Sequence, residues 1–208
     1  PVGTYTTTMW ITSTDAASDL DLTNDTIVRV FAVTEDEYSL DGVGIYPENV
    51  LSSQGTESFA NNTDGIYCFT NYYVMQDLVV YGLYVGIDDG SVAGGLITPT
   101  LHDTADIALD DPESAYVTGA EHSLTAEEIT AGFVVLPFSE PFTLVSSTGY
   151  YAGVKLFSSG GNAHVGIVDD LTVLQPGSAM FLPEETGTGG DPGTTGNGNS
   201  FVIRLLAD

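Results

Sequence analysis

Glu185-Thr186-Gly187-Thr188-Gly189-Gly190-Asp191-Pro192-Gly193-Thr194-Thr195-Gly196-Asn197-Gly198-Asn199 runs straight into Ser200-Phe201-Val202-Ile203-Arg204-Leu205-Leu206. The first stretch is too rich in glycine and small polar residues to form a packed element. The second concentrates apolar residues as a core strand does. A chain whose last core strand returns after a long excursion has Greek-key or jelly-roll character. Further back, strand-like segments recur at 3–13, 26–34, 66–75, 78–87, 92–102, 115–123, 132–138, 141–145, 149–157, 163–168 and 178–183. Turn signals such as Asp41-Gly42, Asp64-Gly65 and Asp88-Asp89-Gly90 punctuate them. The expected fold is all-β, a jelly-roll or Greek-key β-sandwich. One helical turn is expected, over Ser123–Ile129 with Thr125 as its cap.

The segment 35–59 is acidic, turn-rich and weakly periodic, which reads as a linker or surface excursion. It divides an N-terminal hairpin, 1–34, from a sandwich over 60–208. A lone hairpin is marginal in water, so this one is expected to pack on the main domain or on something else. Its apolar residues Tyr5, Met9, Trp10, Ile27, Val30 and Phe31 are the expected interface.

The chain has 208 residues, and its 29 acidic residues against Arg29, Lys155 and Arg204 give a net charge of −26. Such a chain repels phosphate backbones and anionic lipid surfaces, so neither nucleic acid nor membrane is an expected partner. No apolar run approaches the ~20 residues that span a bilayer. Screening of this charge suits a saline or Ca²⁺-rich extracellular setting, while acidic loops that simply maintain solubility explain it equally. Pro1 follows no basic, apolar leader, so a signal peptide is expected to be either already removed or never present, and Pro1 itself reads as a mature terminus or as a cut in a longer protein. Arg29 and Lys155 lie within strand-like segments, where a solvent-facing or edge position is expected.

Catalytic constellations are missing. His102, His122 and His164 have no Gly-x-Ser-x-Gly elbow beside them and no metal-ligand spacing, and each reads as a satisfied or exposed histidine. Cys68 stands inside Ile66-Tyr67-Cys68-Phe69 and reads as a buried, inert thiol. Carboxylate pairs are too numerous for any one to mark a glycosidase dyad. The chain is therefore not expected to be an enzyme. Calcium is the cofactor its oxygen donors suit best, with Asp19, Asp21 and Asp25 in the hairpin loop and Asp88 and Asp89 as candidates, although none has EF-hand spacing.

Two stretches resemble the large surface proteins exported by the type IX secretion pathway of Bacteroidota. Thr8-Met9-Trp10-Ile11, Asp19-Leu20-Asp21-Leu22-Thr23-Asn24-Asp25-Thr26 and Phe31-Ala32-Val33-Thr34 look like the last two strands of a cell-adhesion-type immunoglobulin-like module. Tyr81-Gly82-Leu83-Tyr84-Val85-Gly86-Ile87, Leu101-His102-Asp103-Thr104, Phe133-Val134-Val135-Leu136-Pro137-Phe138, Tyr150-Tyr151-Ala152-Gly153-Val154 and Val202-Ile203-Arg204-Leu205 are similar to the jelly-roll units that follow such modules. The resemblance implies export, a secreted or cell-surface location, and display or adhesion. It departs from the pattern in one place, since only the final hairpin of the immunoglobulin-like half is present. Either the hairpin is absorbed into the sandwich, or other copies of the chain complete its edges and build a head-to-tail filament. Glycans are the alternative partner, bound by a carbohydrate-binding module that uses exposed tyrosines.

Overall fold

The computed structural model describes residues 1–10, 25–47, 49–58, 64–108, 111–172, 178–182, 193–196 and 198–208. Along the chain the first elements are Gly3–Trp10 (β1), Thr26–Val33 (β2), Glu37–Tyr38 (β3), Leu51–Gly55 (β4), Ile66–Val74 (β5), Leu78–Gly86 (β6) and Leu96–Asp103 (β7). The middle holds Thr104–Ala108 (α1), Val117–Thr118 (β8), His122–Ser123 (β9), Ala126–Ala131 (α2), Phe133–Leu144 (β10) and Thr148–Phe157 (β11). Gly166–Asp170 (β12), Ala179–Leu182 (β13), Gly193–Gly196 (β14), Ser200–Phe201 (β15) and Ile203–Ala207 (β16) complete it.

These elements form an all-β sandwich, as the strand pattern predicts. One layer runs β14-β13-β5-β11-β7-β8, with β9 also on β7. The facing layer runs β10-β6-β16-β3 and continues through an Ile87–Ile167 bridge into β15-β12-β4. Period-2 alternation decides what each strand buries. Ile66, Cys68, Tyr72 and Val74 of β5 and Ala152, Val154 and Leu156 of β11 point inward, against Leu83 and Val85 of β6, Val134 and Leu136 of β10, and Ile203 and Leu205 of β16. Each such aliphatic side chain contributes about 1.5–3 kcal/mol by leaving water. The closing strand is thus core, and Tyr72 Oη ties it to β5 by donating to the Ile203 carbonyl at 2.5 Å.

The layer of β5, β11 and β7 also carries a second, smaller core on its outer face, made by Tyr67, Phe69, Ile107, Ala179 and Phe181. Gly153 makes it possible. A Cβ there would stand 2.3 Å from Phe69 Cδ1, so only glycine lets the Phe69 ring lie across β11. That ring reaches His102 on β7, edge to face at 5.2 Å.

The segment 35–59 differs from the expected linker. Its residues 37–38 pair with Leu205 and Leu206, and its residues 51–55 pair with β12. These strands are too short for periodicity to show, and their partners are more than a hundred residues away. The expected turn of helix is α2, closed by a reciprocal capping box between Thr125 and Glu128 and ended by Gly132 at φ 78°. The second helix, α1, was not expected; Asp103 Oδ1 starts it by accepting from Ala105 N at 2.8 Å.

Candidate interaction surface

Threonine-rich β1 and β-branched β2 favour the extended backbone. They pair antiparallel in unbroken register from Gly3–Val33 to Trp10–Thr26. Among the described residues these two strands pair only with each other. The register puts Tyr5, Met9, Ile27, Phe31 and Val33 on one face, with Tyr5 stacked on Phe31 at 5.6 Å. The other face holds Trp10, Val28 and Val30. Both faces are open: Trp10 is 67% exposed, Met9 53%, Ile27 51% and Phe31 44%. Of the six expected interface residues, five are exposed large hydrophobics, and Tyr5 is half-buried. A cluster of exposed apolar side chains of this kind makes the hairpin the candidate interaction surface.

The edges of the sandwich are guarded where those of the hairpin are not. Among the described residues β3, β8 and β15 have two residues each, β14 four and β4 five. The long edge strand β10 carries Pro137 and Pro141, and its register with β6 breaks between Pro137 and Phe142. Short edges, prolines and bulges all discourage strand addition. By contrast β1 and β2 have eight residues each, with no proline, no acid and a single charged position, Arg29.

Beside β2 lies a groove. Two adjoining cavities of about 420 Å³ each share Phe31, Leu40, Asp41 and Gly42. Val28 and Val30 line the hairpin side, Ile45, Tyr46 and Pro47 the opposite wall, and no β1 residue lines either cavity. Its floor is held by an ion-pair cluster that sequence reasoning missed. Arg204 on β16 is 5% exposed and donates from Nε and Nη2 to the two Asp41 oxygens, both at 2.8 Å, and from Nη1 to Glu37 Oε2 at 2.9 Å. Its guanidinium also lies 4.4 Å from the Tyr84 ring centroid. Burial works against the Asp41 charge, but Arg204, with Ser39 and Tyr46, outweighs it and holds the carboxyl below the usual carboxylate range. Burial and the neighbouring Asp41 charge push the Tyr46 phenol up. The groove floor therefore sets two carboxylates against one guanidinium, both of them bonded to it, within a chain of net charge −26. One signal was available: a lone arginine in an apolar core strand must find a buried acid.

The remaining candidates do not assemble into a site. Asp19 and Asp21 lie outside the described residues. Asp88 Oδ2 accepts from Gly90 N at 3.1 Å, as a turn-forming aspartate does. Asp89 belongs to the same exposed turn, and Asp25 is half-buried at the start of β2. Among the described residues no three or more His, Cys, Asp or Glu side chains converge as metal ligands. Cys68 is fully buried, and burial, aided by the Asp169 charge, pushes its thiol far up. Lys155 is not at an edge: β11 lies between β5 and β7, and Nζ meets Glu113 at 2.6 Å. The Arg29 side chain lies outside the described atoms.

The histidines separate into two kinds. His122 Nε2 hydrogen-bonds Glu128 at 2.9 Å, and His164 Nδ1 lies 3.1 Å from Glu57 Oε1 without an aligned hydrogen bond. His102 corrects the expectation of a satisfied or exposed ring, for it is fully buried with neither ring nitrogen hydrogen-bonded. Its neighbours are the rings of Tyr67 and Phe69, and burial lowers its pKa to about 4.

No family model matches this chain, and neither a curated protein nor a solved structure is found to be similar to it.

Proposed function

We propose that the chain is an extracellular structural or adhesive β-sandwich, a building block of a surface adhesin or filament, assembled by strand pairing through its N-terminal hairpin. The observation that carries this reading is the hairpin itself, two unguarded strands exposing Trp10, Met9, Ile27 and Phe31 beside a sandwich whose own edges are short or interrupted. Strand addition supplies backbone hydrogen bonds for affinity, and the alternating side chains fill apolar pockets on the partner. The resemblance to exported surface proteins and the charge of −26 support a secreted or cell-surface location. No step in this function involves turnover. Negative-stain imaging of native surface material tests it: regular assemblies are expected, and isolated particles at every concentration would overturn it.

The exposure of Trp10, with Tyr73 at 57%, favours a second reading as a carbohydrate-binding module, because open aromatic faces stack on sugar rings. A glycan-array signal that disappears on chelation would support this reading with calcium as its cofactor. A flat array would remove it.

A further inference from the structure

The groove along β2 has a shape and a charge that name its occupant. It follows β2 from Val28 to Thr34, a run that spans roughly 20 Å in extended chain. Its floor carboxylates, Asp41 and Glu37, are already engaged by Arg204. An incoming acidic strand would meet the repulsion of a chain with 29 acidic residues and three basic ones, while an uncharged strand would not. Apart from β2 itself, one long strand edge among the described residues has no carboxylate, proline or second partner, and it belongs to β1, Gly3-Thr4-Tyr5-Thr6-Thr7-Thr8-Met9-Trp10.

We infer that the β1 edge of one copy docks in the β2 groove of the next, and that Leu40, Ile45, Tyr46 and Pro47 form the receiving wall. The inference rests on the reading of the hairpin as the assembly element and specifies what it pairs with. Direction follows from the fold. Since β1 and β2 are antiparallel, laying the next β1 antiparallel to β2 continues the same up-and-down order without reversal. Donor edge and acceptor edge are different surfaces, so the contact is heterologous and does not close at two copies. Strand twist of about 20–25° turns each two-stranded copy by roughly 40–50° relative to the last, which carries successive sandwiches away from one another.

Complementary variants of the full chain test this by light scattering. Thr6→Lys with Thr8→Lys spoils the donor edge, and Ile45→Lys spoils the acceptor wall. Each variant alone is expected to be monomeric, and an equimolar mixture is expected to stop at a dimer, because one intact donor then meets one intact acceptor. A synthetic peptide of residues 1–10 is expected to bind the donor-defective variant and not the Ile45→Lys variant, which keeps the test valid if lysines disturb the donor hairpin. A mixture that stays monomeric together with a peptide that fails to bind overturns the inference. If both lysine variants assemble like the parent while Phe31→Ser abolishes assembly, the hairpin reading survives and the β1-to-groove pairing falls. If Phe31→Ser assembles as well, both fall.

Discussion

Arg204 and His102 are both charged-type residues on core strands, yet the sandwich treats them in opposite ways. Arg204 keeps its charge because Asp41 and Glu37 meet it in a forked geometry. Arg204→Met leaves Asp41 buried without its partner and is expected to cost about 3–5 kcal/mol, read from denaturant midpoints. Combining it with Asp41→Asn should restore part of that loss. His102 instead gives up its charge, because burial among rings lowers its pKa from 6.5 to about 4. The unfolded chain then binds more protons than the folded one between these values. The contribution of His102 is complete above pH 6.5 and is lost as pH falls toward 4. Between pH 7 and pH 4.5 this amounts to about 2–3 kcal/mol. Partial protonation of the 29 acidic residues eases their repulsion over the same range and works the other way. A His102→Phe variant separates the two: it should lose less stability than the parent over this interval, and equal losses would contradict the assignment. At Gly153 any side chain meets the Phe69 ring, so Gly153→Ala is expected to cost about 1–3 kcal/mol by thermal unfolding.

At the scale of the element, what could be read from sequence depended on length and on locality. The strands β5, β6, β7 and β11 have eight to ten residues, enough for alternation to declare itself, and the expected segments 66–75, 78–87, 92–102 and 149–157 coincide with them closely. The hairpin was legible for the same reason. So was α2, whose Thr125 and Glu128 form a local signal. Short β3 and β4 are held by Leu205, Leu206 and β12, and no pattern within 35–59 discloses partners so distant. The groove was hidden for that reason as well: Leu40, Ile45, Tyr46 and Pro47 read as loop until Arg204 pins Asp41 beneath them, 163 positions away in sequence. Because β1 and β2 pair with no other described strand, removing residues 1–34 should leave the sandwich intact. A shift in Tm of less than about 4 °C is expected, equivalent to at most about 1 kcal/mol. A larger loss would mean that the hairpin belongs to the folding unit.

Across the whole molecule, charge and edge protection act together. A net charge of −26 keeps copies apart wherever acidic surface meets acidic surface, and the short or proline-interrupted sandwich edges deny them a strand to pair with. The strands β1 and β2 escape both restraints, since they are long, unguarded and free of carboxylates. Association through them is therefore opposed only by the long-range repulsion of the sandwiches behind them. Salt shortens the Debye length from about 10 Å at 0.1 M to about 3 Å at 1 M and removes most of that opposition. Assembly driven by apolar burial and strand pairing should strengthen as salt rises, whereas assembly driven by ion pairs would weaken. Sedimentation velocity of the full chain across protein concentration, at low and at high salt, tests the central claim most directly. Species growing beyond 21.8 kDa with concentration, and further with salt, are expected. A single 21.8 kDa species under every condition would contradict the account.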